Sequence, residues 1–326
     1  MAAQRHPEPP VPPKISVVVA TYRRPDVLPA CLEALELQRL PPLELVVVDQ
    51  SPDTKTRELV EAHASTRFEV RYLHSDVAGV SLARNLGWRA ARGEIVAYTD
   101  DDAIPDPGWV QAIATAFGNE AVDMVGGRIL PRWEGGSRPT WLPPSREYLF
   151  ALYDPGLPLG PFPDESLPMT VNAAIRRDRL EAVGGFDEGI GARPGWPITG
   201  EDSLLAWRVR EAGGRIWYQP DALVLHRISP SRAGRRPYLR RCYNEGICLV
   251  DVERRRGLLT AERVSAMKAW HERNLRSRAL SAAWRAWKVW RSPWDDPGLI
   301  SRLGEAALSA GIIRMCRAFE RDGGAA

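Results

Sequence analysis

Three consecutive carboxylates, Asp100, Asp101 and Asp102, are the residues whose type and spacing most directly indicate chemistry. They follow a run with strand character at residues 94–98, and Pro105 comes soon after them. Because proline cannot continue a buried strand, we expect the acids at the carboxyl end of that strand, where open α/β sheets bind ligands. Adjacent carboxylates repel one another, and a hard divalent cation relieves that repulsion. The alternative interpretation is a solvated acidic turn.

The hydrophobic pattern of the first hundred residues predicts the elements that position these acids. Runs with strand character cover residues 14–20, 43–49, 68–73 and 94–98, and helical patterns separate them at about 27–37, 54–64 and 79–92. Strands that alternate with helices indicate a parallel sheet with right-handed crossovers. The second strand also ends in an acid, Asp49, so we expect Asp49 and the three aspartates to meet at one edge of the sheet.

The second half of the chain has a less regular pattern. Residues 131–168 are rich in Pro, Gly and Trp, which indicates a long functional loop, and 189–200 form another Gly- and Pro-rich loop. Ordered elements are predicted as a strand at 169–177, helices at 178–183 and 204–212, and strands at 215–218 and 222–226. The predicted fold class is therefore α/β, with a Rossmann-like, mostly parallel sheet flanked by helices.

Composition limits the class of protein. The chain has 326 residues, of which 44% are hydrophobic and 26% charged, as in a globular protein with a large core. Four scattered cysteines form no Cys-x-x-Cys pair, which indicates a reduced compartment and no structural zinc. Residues 1–13 are Pro-rich without an apolar run, so we expect a disordered leader rather than a signal peptide. No run reaches the roughly 18 apolar residues of a spanning helix, so we expect a cytoplasmic protein, soluble or peripheral on the inner face of the membrane.

Residues 229–326 differ from the rest of the chain in charge. Lys and Arg number 17 against 5 Asp and Glu between residues 227 and 291, although the net charge of the whole chain is only +3. Tryptophans with basic residues between them recur at helical spacing, at Trp284, Trp287, Trp290 and Trp294. We interpret this region as a basic, Trp-rich helical extension whose Trp face either packs on the main body or lies on an anionic bilayer. Nucleic acid is not expected as a partner, because no nucleic-acid fold signature accompanies the charge.

Eight short motifs follow one another along the chain. They are Val-Val-Val-Ala-Thr-Tyr (17–22), Val-Val-Val-Asp (46–49), Gly-Val-Ser-x-Ala-Arg-Asn-x-Gly (79–87), Gly-Glu-Ile-Val-Ala-Tyr-Thr-Asp-Asp-Asp (93–102), Asn-Ala-Ala-Ile-Arg-Arg (172–177), Gly-Gly-Phe-Asp-Glu (184–188), Gly-Glu-Asp (200–202) and a late His226. Each motif alone is a weak signal, but eight in order, each in its expected structural context, are strong. Over about residues 14–228 the chain resembles a family-2 glycosyltransferase with the GT-A fold.

The resemblance implies an enzyme that moves a sugar from a nucleotide-diphosphate sugar to an acceptor hydroxyl, with inversion at the anomeric carbon. In the family, an Asp-x-Asp motif holds a divalent metal that neutralises the leaving diphosphate. By this resemblance Asp102 binds Mg²⁺ or Mn²⁺, and Asp100 serves both the metal and the nucleotide side. Asp101, the middle residue, is grouped with the donor-binding residues. His226 is implied as a further metal ligand, and the alternative is a structural histidine.

The resemblance also implies residues that bind the nucleobase. Asp49 matches the acid that reads the base, although this chain has Asp49-Gln50 where the family often has two acids. That departure leaves the identity of the base open. Thr21 and Tyr22, just past the first strand, are implied to line the base pocket.

Two later motifs supply further donor-binding residues by resemblance. Arg84, at the start of a helix, is implied to contact the diphosphate or the base. The alternative is a surface arginine paired with Asp76 or Glu94. Asn172 belongs to a segment that borders the donor sugar in the family.

Asp202, in Gly-Glu-Asp, matches the position of the family's general base, which accepts the proton of the acceptor hydroxyl. Glu201 is implied to hold the acceptor or to orient the loop. The alternative is that Asp202 is an N-cap, because aspartate is a favoured cap and the helix dipole alone explains an acid there.

These inferences predict the organisation of the chain and its product. A leader (1–13) precedes a GT-A catalytic domain (14–228), whose nucleotide-binding half (14–110) precedes an acceptor and catalytic half (111–228), and the helical extension (229–326) follows. The expected acceptor is a sugar, a lipid-linked molecule or a small molecule. The expected product is a cell-surface polysaccharide, a glycolipid or a glycosylated metabolite.

Other function classes match parts of the pattern. A sugar-phosphate nucleotidyltransferase also pairs a parallel sheet with metal-binding acids, but a Gly-x-Gly-Thr-Arg-type loop would follow its first strand, where this chain has Ala20–Arg23. A non-catalytic nucleotide-sugar-binding module would not need a base at Asp202. A processive polysaccharide synthase is disfavoured, because the chain has no spanning run and no Gln-x-x-Arg-Trp after Asp202.

Overall fold

A computed structural model describes residues 12–63, 65–288 and 296–321. The first half contains β1 (Ile15–Thr21), α1 (Leu28–Glu36), β2 (Glu44–Asp49), α2 (Lys55–Ala62), β3 (Glu69–His74), α3 (Val80–Ala90) and β4 (Ile95–Asp100). The second half contains β5 (Ala103–Pro105), α4 (Trp109–Phe117), β6 (Met124–Trp133), a 3-10 helix (Pro144–Phe150), β7 (Gly160–Pro161), β8 (Asn172–Arg176), α5 (Arg177–Val183), α6 (Glu201–Glu211) and β9 (Ile216–Ile228). Three long helices follow, α7 (Arg235–Arg255), α8 (Ala261–Lys288) and α9 (Pro297–Arg321). Most of the predicted leader, together with Trp290 and Trp294, lies outside the described residues.

The described residues form one mixed sheet of nine strands with the order β3-β2-β1-β4-β8-β6-β9-β5, and β7 pairs with β9 off this path. The first four strands of this order are parallel, as predicted. The continuous apolar runs of β1, β2 and β4 suit a sheet that helices cover on both faces. Thr21 pairs with Asp49, and Ala20 pairs with Asp100, so the acidic strand ends meet at one edge. This part of the sheet confirms the α/β prediction.

The other half of the sheet contains two differences from the sequence prediction. The strands expected at 215–218 and 222–226 are one strand, β9, which pairs in parallel with β6 through a register shift beside Gly127. The chain also forms the short strand β5 directly after the three aspartates, pairing antiparallel with β9. Proline is tolerated there because Pro105 is the last residue of a strand at the end of the sheet order. This pairing places His226 opposite Ala103.

Two helical layers bury the sheet. Apolar side chains of α1 and α4, including Leu32 and Trp109, join one core with the inner faces of β1, β2 and β4. Side chains of α3 and α6, including Trp88 and Leu205, form the second core on the opposite face. Burying side chains of this size stabilises the fold by about 1.5–3 kcal/mol each. The loop predicted at 131–168 contains the end of β6, the 3-10 helix and β7.

The helices α7, α8 and α9 form a bundle in which α9 packs against both of the others. Tyr238 and Cys242 of α7 and Ile300 of α9 belong to the same core as α1 and α4, so the bundle is attached to the sheet. The side of α8 that carries Trp284 and Trp287 is not packed against the sheet, since these two side chains are 52% and 74% exposed. The alternative in which the Trp face packs on the main body is therefore wrong for these two residues. In the described part of the chain, no helix combines the length and apolarity that crossing a membrane requires.

Candidate active site

A cleft of about 700 Å³ opens at the carboxyl ends of β1, β2 and β4. The three consecutive aspartates line it, together with residues just past β1 and β2, the start of α3, and the segments 192–197 and 229–232. Among the predicted donor-binding residues, the cleft collects Thr21, Tyr22, Arg84, Asp100 and Asp101. Parallel strands carry their polar ends to one edge, which explains why residues distant in sequence meet here.

Asp101, the middle aspartate, is held inside the cleft wall at 3% exposure. Its carboxylate accepts hydrogen bonds from Thr21 Oγ1 at 2.8 Å and from Arg24 at 2.5 Å. Burial raises the pKa of Asp101, the charge of Arg24 opposes that rise, and the adjacent charge of Asp102 adds to it. Thr21 is itself buried, so its hydroxyl serves to hold the Asp101 carboxylate in place and is not free to bind a donor molecule.

Asp102 lies at the centre of a cluster of positive groups. Its Oδ2 accepts from Arg24 at 2.8 Å and from Arg232, and its Oδ1 lies 3.3 Å from His226 Nε2. Burial by itself would raise the pKa of Asp102, but the hydrogen bond and charge of His226, followed by the charges of Arg232 and Arg24, lower it well below the usual range. Asp102 is therefore an ionised carboxylate in a buried position, at 3% exposure.

Asp100 is turned toward a different arginine. Arg84 donates to Asp100 at 3.0 Å and to Glu201 at 2.6 Å, so one guanidinium joins the end of β4 to the start of α6. Arg84 is only 5% exposed, and the alternative of a surface arginine paired with Asp76 or Glu94 is wrong. The charges of Asp100 and Glu201 outweigh burial and raise the pKa of Arg84, so this residue stays cationic.

Glu201 and Asp202 form the first turn of α6, which begins after Gly200. Gly200, not Asp202, is the N-cap, and its φ of +118° together with a Cβ that would lie 2.5 Å from Cys248 Sγ requires glycine. The N-cap alternative for Asp202 is therefore wrong. Glu201 is 4% exposed, and its Oε2 has no hydrogen-bond partner within the described residues.

The carboxylate of Asp202 is half-buried and accepts a hydrogen bond from Ser203 N at 2.8 Å. Burial raises the pKa of Asp202, the charge of Glu201 raises it further, and the charge of Arg84 opposes both. A carboxylate whose pKa is moved toward neutrality is suited to accept a proton at physiological pH. Asp202 is linked to the cleft through Glu201 and Arg84 and does not line it directly.

Asp49 lies at the predicted sheet edge, but its side chain does not face the cleft. It is fully buried, and its oxygens accept from Ser51 N at 2.8 Å and from Tyr72 Oη at 2.9 Å. The neighbouring Gln50 lines the cleft instead. Gln50 donates to Val77 O at 2.7 Å and accepts from the backbone of Gly79 at 2.9 Å, so it holds the loop that leads into α3.

Asn172 is not brought to the cleft. Its side-chain oxygen accepts from Trp109 Nε1 at 2.8 Å, and its amide donates to Arg128 O and Ala222 O at 2.8 and 2.7 Å. With 1% exposure, and with both amide hydrogens and the oxygen bonded inside the core, it is not accessible to a donor sugar. We therefore correct the prediction that Asn172 binds the donor: it ties α4 to β6, β8 and β9.

A family model described as glycosyl transferase family 2 matches residues 16–184. The chain belongs to glycosyl transferase family 2. This is the family that the motifs predicted, and the matched residues include the sheet edge that carries Thr21, Asp49, Arg84 and the three aspartates.

Curated relatives agree with this family. The chain is 33% identical over 235 residues to a pre-mycofactocin glycosyltransferase of Mycobacterium tuberculosis, an alignment that covers 69% of this chain and 46% of that protein. It is 27% identical over 221 residues to a glucosyl-dolichyl phosphate glucuronosyltransferase of Haloferax volcanii, covering 66% of this chain and 69% of that one. A succinoglycan biosynthesis protein of Rhizobium meliloti is 26% identical over 263 residues, covering 79% of each. The chain thus spans about half the length of the Mycobacterium relative.

Solved structures show the GT-A fold. A mannosyltransferase from Pyrobaculum calidifontis in complex with GDP-Man and Mn²⁺ superposes with a TM-score of 0.59 at 21% identity, covering 94% of this chain and 87% of that one. GalNAc-T7 with UDP, GalNAc and Mn²⁺ gives a TM-score of 0.52 at 16% identity, covering 73% of this chain and 50% of that one. The predicted GT-A architecture with a C-terminal helical extension is confirmed.

A divalent metal can be tested against the side chains of this site. In the described part of the chain, no cluster of three or more His, Cys, Asp or Glu side chains is close enough together to coordinate a metal ion. Asp100, Asp102 and His226 are therefore not assembled as one set of ligands. Asp100 is drawn to Arg84, which leaves Asp102 and His226 facing each other. His226 Nδ1 contacts the carbonyl of Phe150 at 2.8 Å, so that nitrogen carries a proton, and Nε2, which faces Asp102, would coordinate a metal ion in place of its own proton. One or two protein ligands suffice where substrate phosphates and water complete the shell, so this pair fits Mg²⁺ or Mn²⁺.

Sequence reasoning missed two cleft residues that contact the aspartates, Arg24 and Arg232. Arg24 follows β1 in Thr-Tyr-Arg-Arg, and Arg232 follows β9 in Ser-Pro-Ser-Arg. Both segments follow strands that end at the cleft, and this position in the sequence is the one feature that could have indicated a role in the site. Nothing in the local sequence indicates that the two guanidiniums converge on Asp102, because the residues lie 78 and 130 positions away from it.

Proposed function

We propose that this glycosyltransferase binds a nucleotide-diphosphate sugar in the cleft and transfers the sugar to an acceptor hydroxyl with inversion at the anomeric carbon. One observation carries the proposal. In the cleft the three consecutive aspartates form ion pairs with three arginines, Arg24, Arg84 and Arg232, at the carboxyl edge of a parallel sheet. Such an edge is where α/β sheets bind nucleotides, and guanidinium groups match phosphate oxygens.

The nucleotide would lie over the ends of β1 and β2, where Tyr22 and Gln50 line the cleft. Asp49 would then support the nucleotide site indirectly, because it holds the turn at Ser51 and does not contact the base. The diphosphate would lie toward Arg24 and Arg232, which are 38% and 30% exposed at their side chains and so reach the open cleft. Each guanidinium can exchange one carboxylate contact for a phosphate contact, since both ligands accept bidentate hydrogen bonds.

For the metal, Asp102 and His226 are the residues of this chain that would hold Mg²⁺ or Mn²⁺. When bound, such an ion supplies positive charge to a leaving diphosphate without proton transfer. The described structures of the Pyrobaculum mannosyltransferase and of GalNAc-T7 contain Mn²⁺, which supports the choice of ions. Arg24 and Arg232 keep Asp102 ionised, because their charges favour its deprotonated form.

In the proposed reaction Asp202 is the general base. Its carboxylate accepts the proton of the acceptor hydroxyl while the hydroxyl oxygen forms a bond to the anomeric carbon. The bond from that carbon to the diphosphate oxygen breaks, and the leaving group takes the electron pair. A single displacement of this kind inverts the anomeric centre. Arg84 and Glu201 would position Asp202 relative to Asp100, since their salt bridges join α6 to the end of β4.

The acceptor is proposed only as a class: a sugar, a lipid-linked molecule or a small molecule that leads to a surface polysaccharide, a glycolipid or a glycosylated metabolite. The names of the succinoglycan and dolichyl phosphate relatives support this range. We keep the division into a GT-A domain (14–228) with two halves and an extension (229–326) as a proposal, and likewise a cytoplasmic location. Family membership favours transfer over the nucleotidyltransferase and the non-catalytic binding module.

A donor panel tests the proposal. The purified chain is incubated with UDP-, GDP- and dTDP-sugars, with and without Mn²⁺ or Mg²⁺, and release of the nucleoside diphosphate is measured beside a thermal-shift screen of the same donors. We expect one donor class to raise the melting temperature and to be hydrolysed slowly, both depending on the metal. Asp102→Asn should lose both effects. If no donor binds and none is hydrolysed under any condition, the proposed function is wrong.

A further inference from the structure

The α8 helix has two faces of opposite character. Val264 and Ala282 are buried, on the side where α8 packs against α9. Large apolar side chains on the other side are exposed, namely Trp270 at 47%, Leu280 at 72%, Trp284 at 52% and Trp287 at 74%. At 3.6 residues per turn these four positions share about a third of the helix circumference, opposite the buried pair. We call this surface, over Trp270–Lys288, the outer face of α8.

Basic side chains flank the outer face. Arg273 and Arg276 of α8, with Arg314 and Arg317 of α9, line a groove of about 800 Å³. Within the described residues Arg273 and Arg276 make no ion pair and no side-chain hydrogen bond, unlike Arg317, which pairs with Glu272. Glu272 is also the sole acid between residues 270 and 288. The groove is therefore positive and has charge to offer to a ligand.

We propose that the outer face of α8 docks the enzyme on the surface of an anionic lipid bilayer. Exposed Trp and Leu on one helix face, bordered by arginine, is the composition of helices that lie in a membrane interface. Trp rings favour the interface, and long basic side chains keep their charge in the headgroup layer. Lys288 lies 3.8 Å from the centre of the Trp284 ring, so the cation and the aromatic ring share one surface.

Other occupants fit the outer face less well. A second copy of this chain would bring two positive grooves together, and like charges oppose such an interface. A nucleic acid would use the arginines but would leave Leu280 and the three tryptophans without a role, apart from stacking on single strands. An anionic bilayer uses both the apolar and the basic side chains. The inference does not depend on the proposed function of the cleft.

Vesicle binding by the full chain tests the inference. Co-sedimentation is measured with vesicles of pure phosphatidylcholine and with vesicles of equal parts phosphatidylcholine and phosphatidylglycerol, at low and high salt. We expect binding to the anionic vesicles that weakens with salt, accompanied by a blue shift of tryptophan emission. Binding to the neutral vesicles should be at least about 10-fold weaker, because each basic group near an anionic surface contributes about fivefold, and Arg273 and Arg276 both lie exposed in the groove.

Two double variants separate the apolar and basic contributions. Trp284→Ser with Trp287→Ser should weaken binding to both kinds of vesicle, by about 10-fold or more on anionic vesicles. Arg273→Gln with Arg276→Gln should weaken binding to anionic vesicles only, by about 10-fold. Leu37→Ser and Arg215→Gln, at exposed positions outside the bundle, are matched controls that should bind like the unmodified chain. Circular dichroism and slow donor hydrolysis should be unchanged in every variant, since all these side chains lie outside the cleft.

Several results would overturn the inference. These are no binding to anionic vesicles, equal binding to neutral and anionic vesicles, or unchanged binding in both double variants. A dimer in sedimentation velocity that the Trp variant dissociates, without vesicle binding, would assign the face to a second copy. Salt-sensitive binding of single-stranded nucleic acid without vesicle binding would assign it to nucleic acid. Loss of vesicle binding in both double variants with retention in both controls would support the bilayer.

Discussion

The cleft and the outer face of α8 are both rich in arginine but differ in how its charge is compensated. In the cleft, Arg24, Arg84 and Arg232 each bind at least one aspartate, and the acids are mostly buried. On α8, Arg273 and Arg276 lie exposed without an ion pair in the described residues, next to exposed tryptophans. Paired buried charges are costly to separate, so they fix the positions of a reacting site. Exposed charges without ion-pair partners remain hydrated, so they destabilise the fold little. Next to exposed apolar side chains, they are available to bind the surface of another molecule or a membrane.

Removing the proposed base gives the largest expected change. Asp202→Asn should lower kcat for sugar transfer on the order of 10²- to 10⁴-fold, the usual contribution of a general base, with little change in donor KM. Steady-state kinetics on the donor found in the panel measures this. Asp76→Asn, whose side chain is 99% exposed, is the control and should be fully active. Full activity of Asp202→Asn would show that another group accepts the proton.

The same residue predicts a pH dependence. Burial and the charge of Glu201 raise the pKa of Asp202, the charge of Arg84 and the hydrogen bond from Ser203 N oppose that rise, and the charge of Asp100 adds to it. The base form of Asp202 is therefore lost at a higher pH than for an ordinary aspartate, and kcat should fall as the pH drops through that raised pKa. A profile of kcat against pH measures the limb. Asp202→Asn should retain its low rate without this limb, and a limb that persists in the variant would belong to another group.

Asp102→Asn should lower kcat/KM on the order of 10²- to 10³-fold. The substitution removes the charge that Arg24 and Arg232 share and one of the two proposed metal ligands. Isothermal titration of Mn²⁺ in the presence of the nucleoside diphosphate, together with kinetics, checks the prediction. Variants of the outer face of α8 should keep normal kcat/KM with a soluble acceptor. If the variants of the outer face of α8 lost as much kcat/KM as Asp102→Asn, the two regions would not differ in function as proposed.

Asn172→Ala tests whether Asn172 belongs to the scaffold rather than to the donor site. The substitution leaves Trp109 Nε1 and two backbone carbonyls without partners in the core, which should lower the free energy of unfolding by about 1–3 kcal/mol. Donor KM should stay within about twofold. Urea unfolding and kinetics separate the two outcomes, and Asn274→Ala on the exposed side of α8 is the control. A large rise in KM with normal stability would restore Asn172 to the donor site.

Trp287→Ala should have the smallest effect on the fold. Since Trp287 is 74% exposed, the free energy of unfolding should change by less than about 0.5 kcal/mol. Trp109→Ala, at a fully buried tryptophan, should cost about 3–5 kcal/mol by the same urea measurement. A stability loss at Trp287 comparable to that at Trp109 would mean that the outer face of α8 is packed in solution.

The amino-acid sequence by itself determined the parallel half of the sheet and the family. Continuous apolar runs predict β1, β2 and β4, an alternating run predicts β3, and the polar ends of parallel strands must share an edge. That rule predicts that Asp49 and the three aspartates lie at one edge of the sheet, whereas Thr21 follows from the family resemblance. This rule depends on the direction of the strands and the handedness of their connections, and it needs no knowledge of which side chains contact each other.

Only the tertiary structure decided which partners those residues have. It turned Asp100 to Arg84, gathered Arg24, Arg232 and His226 around Asp102, and bound Asn172 inside the core. It also left Trp284 and Trp287 on the surface although their spacing alone was compatible with a packed face. The physical reason is that periodicity shows which residues share a face of an element, whereas ion pairs and burial depend on contacts between residues distant in the chain.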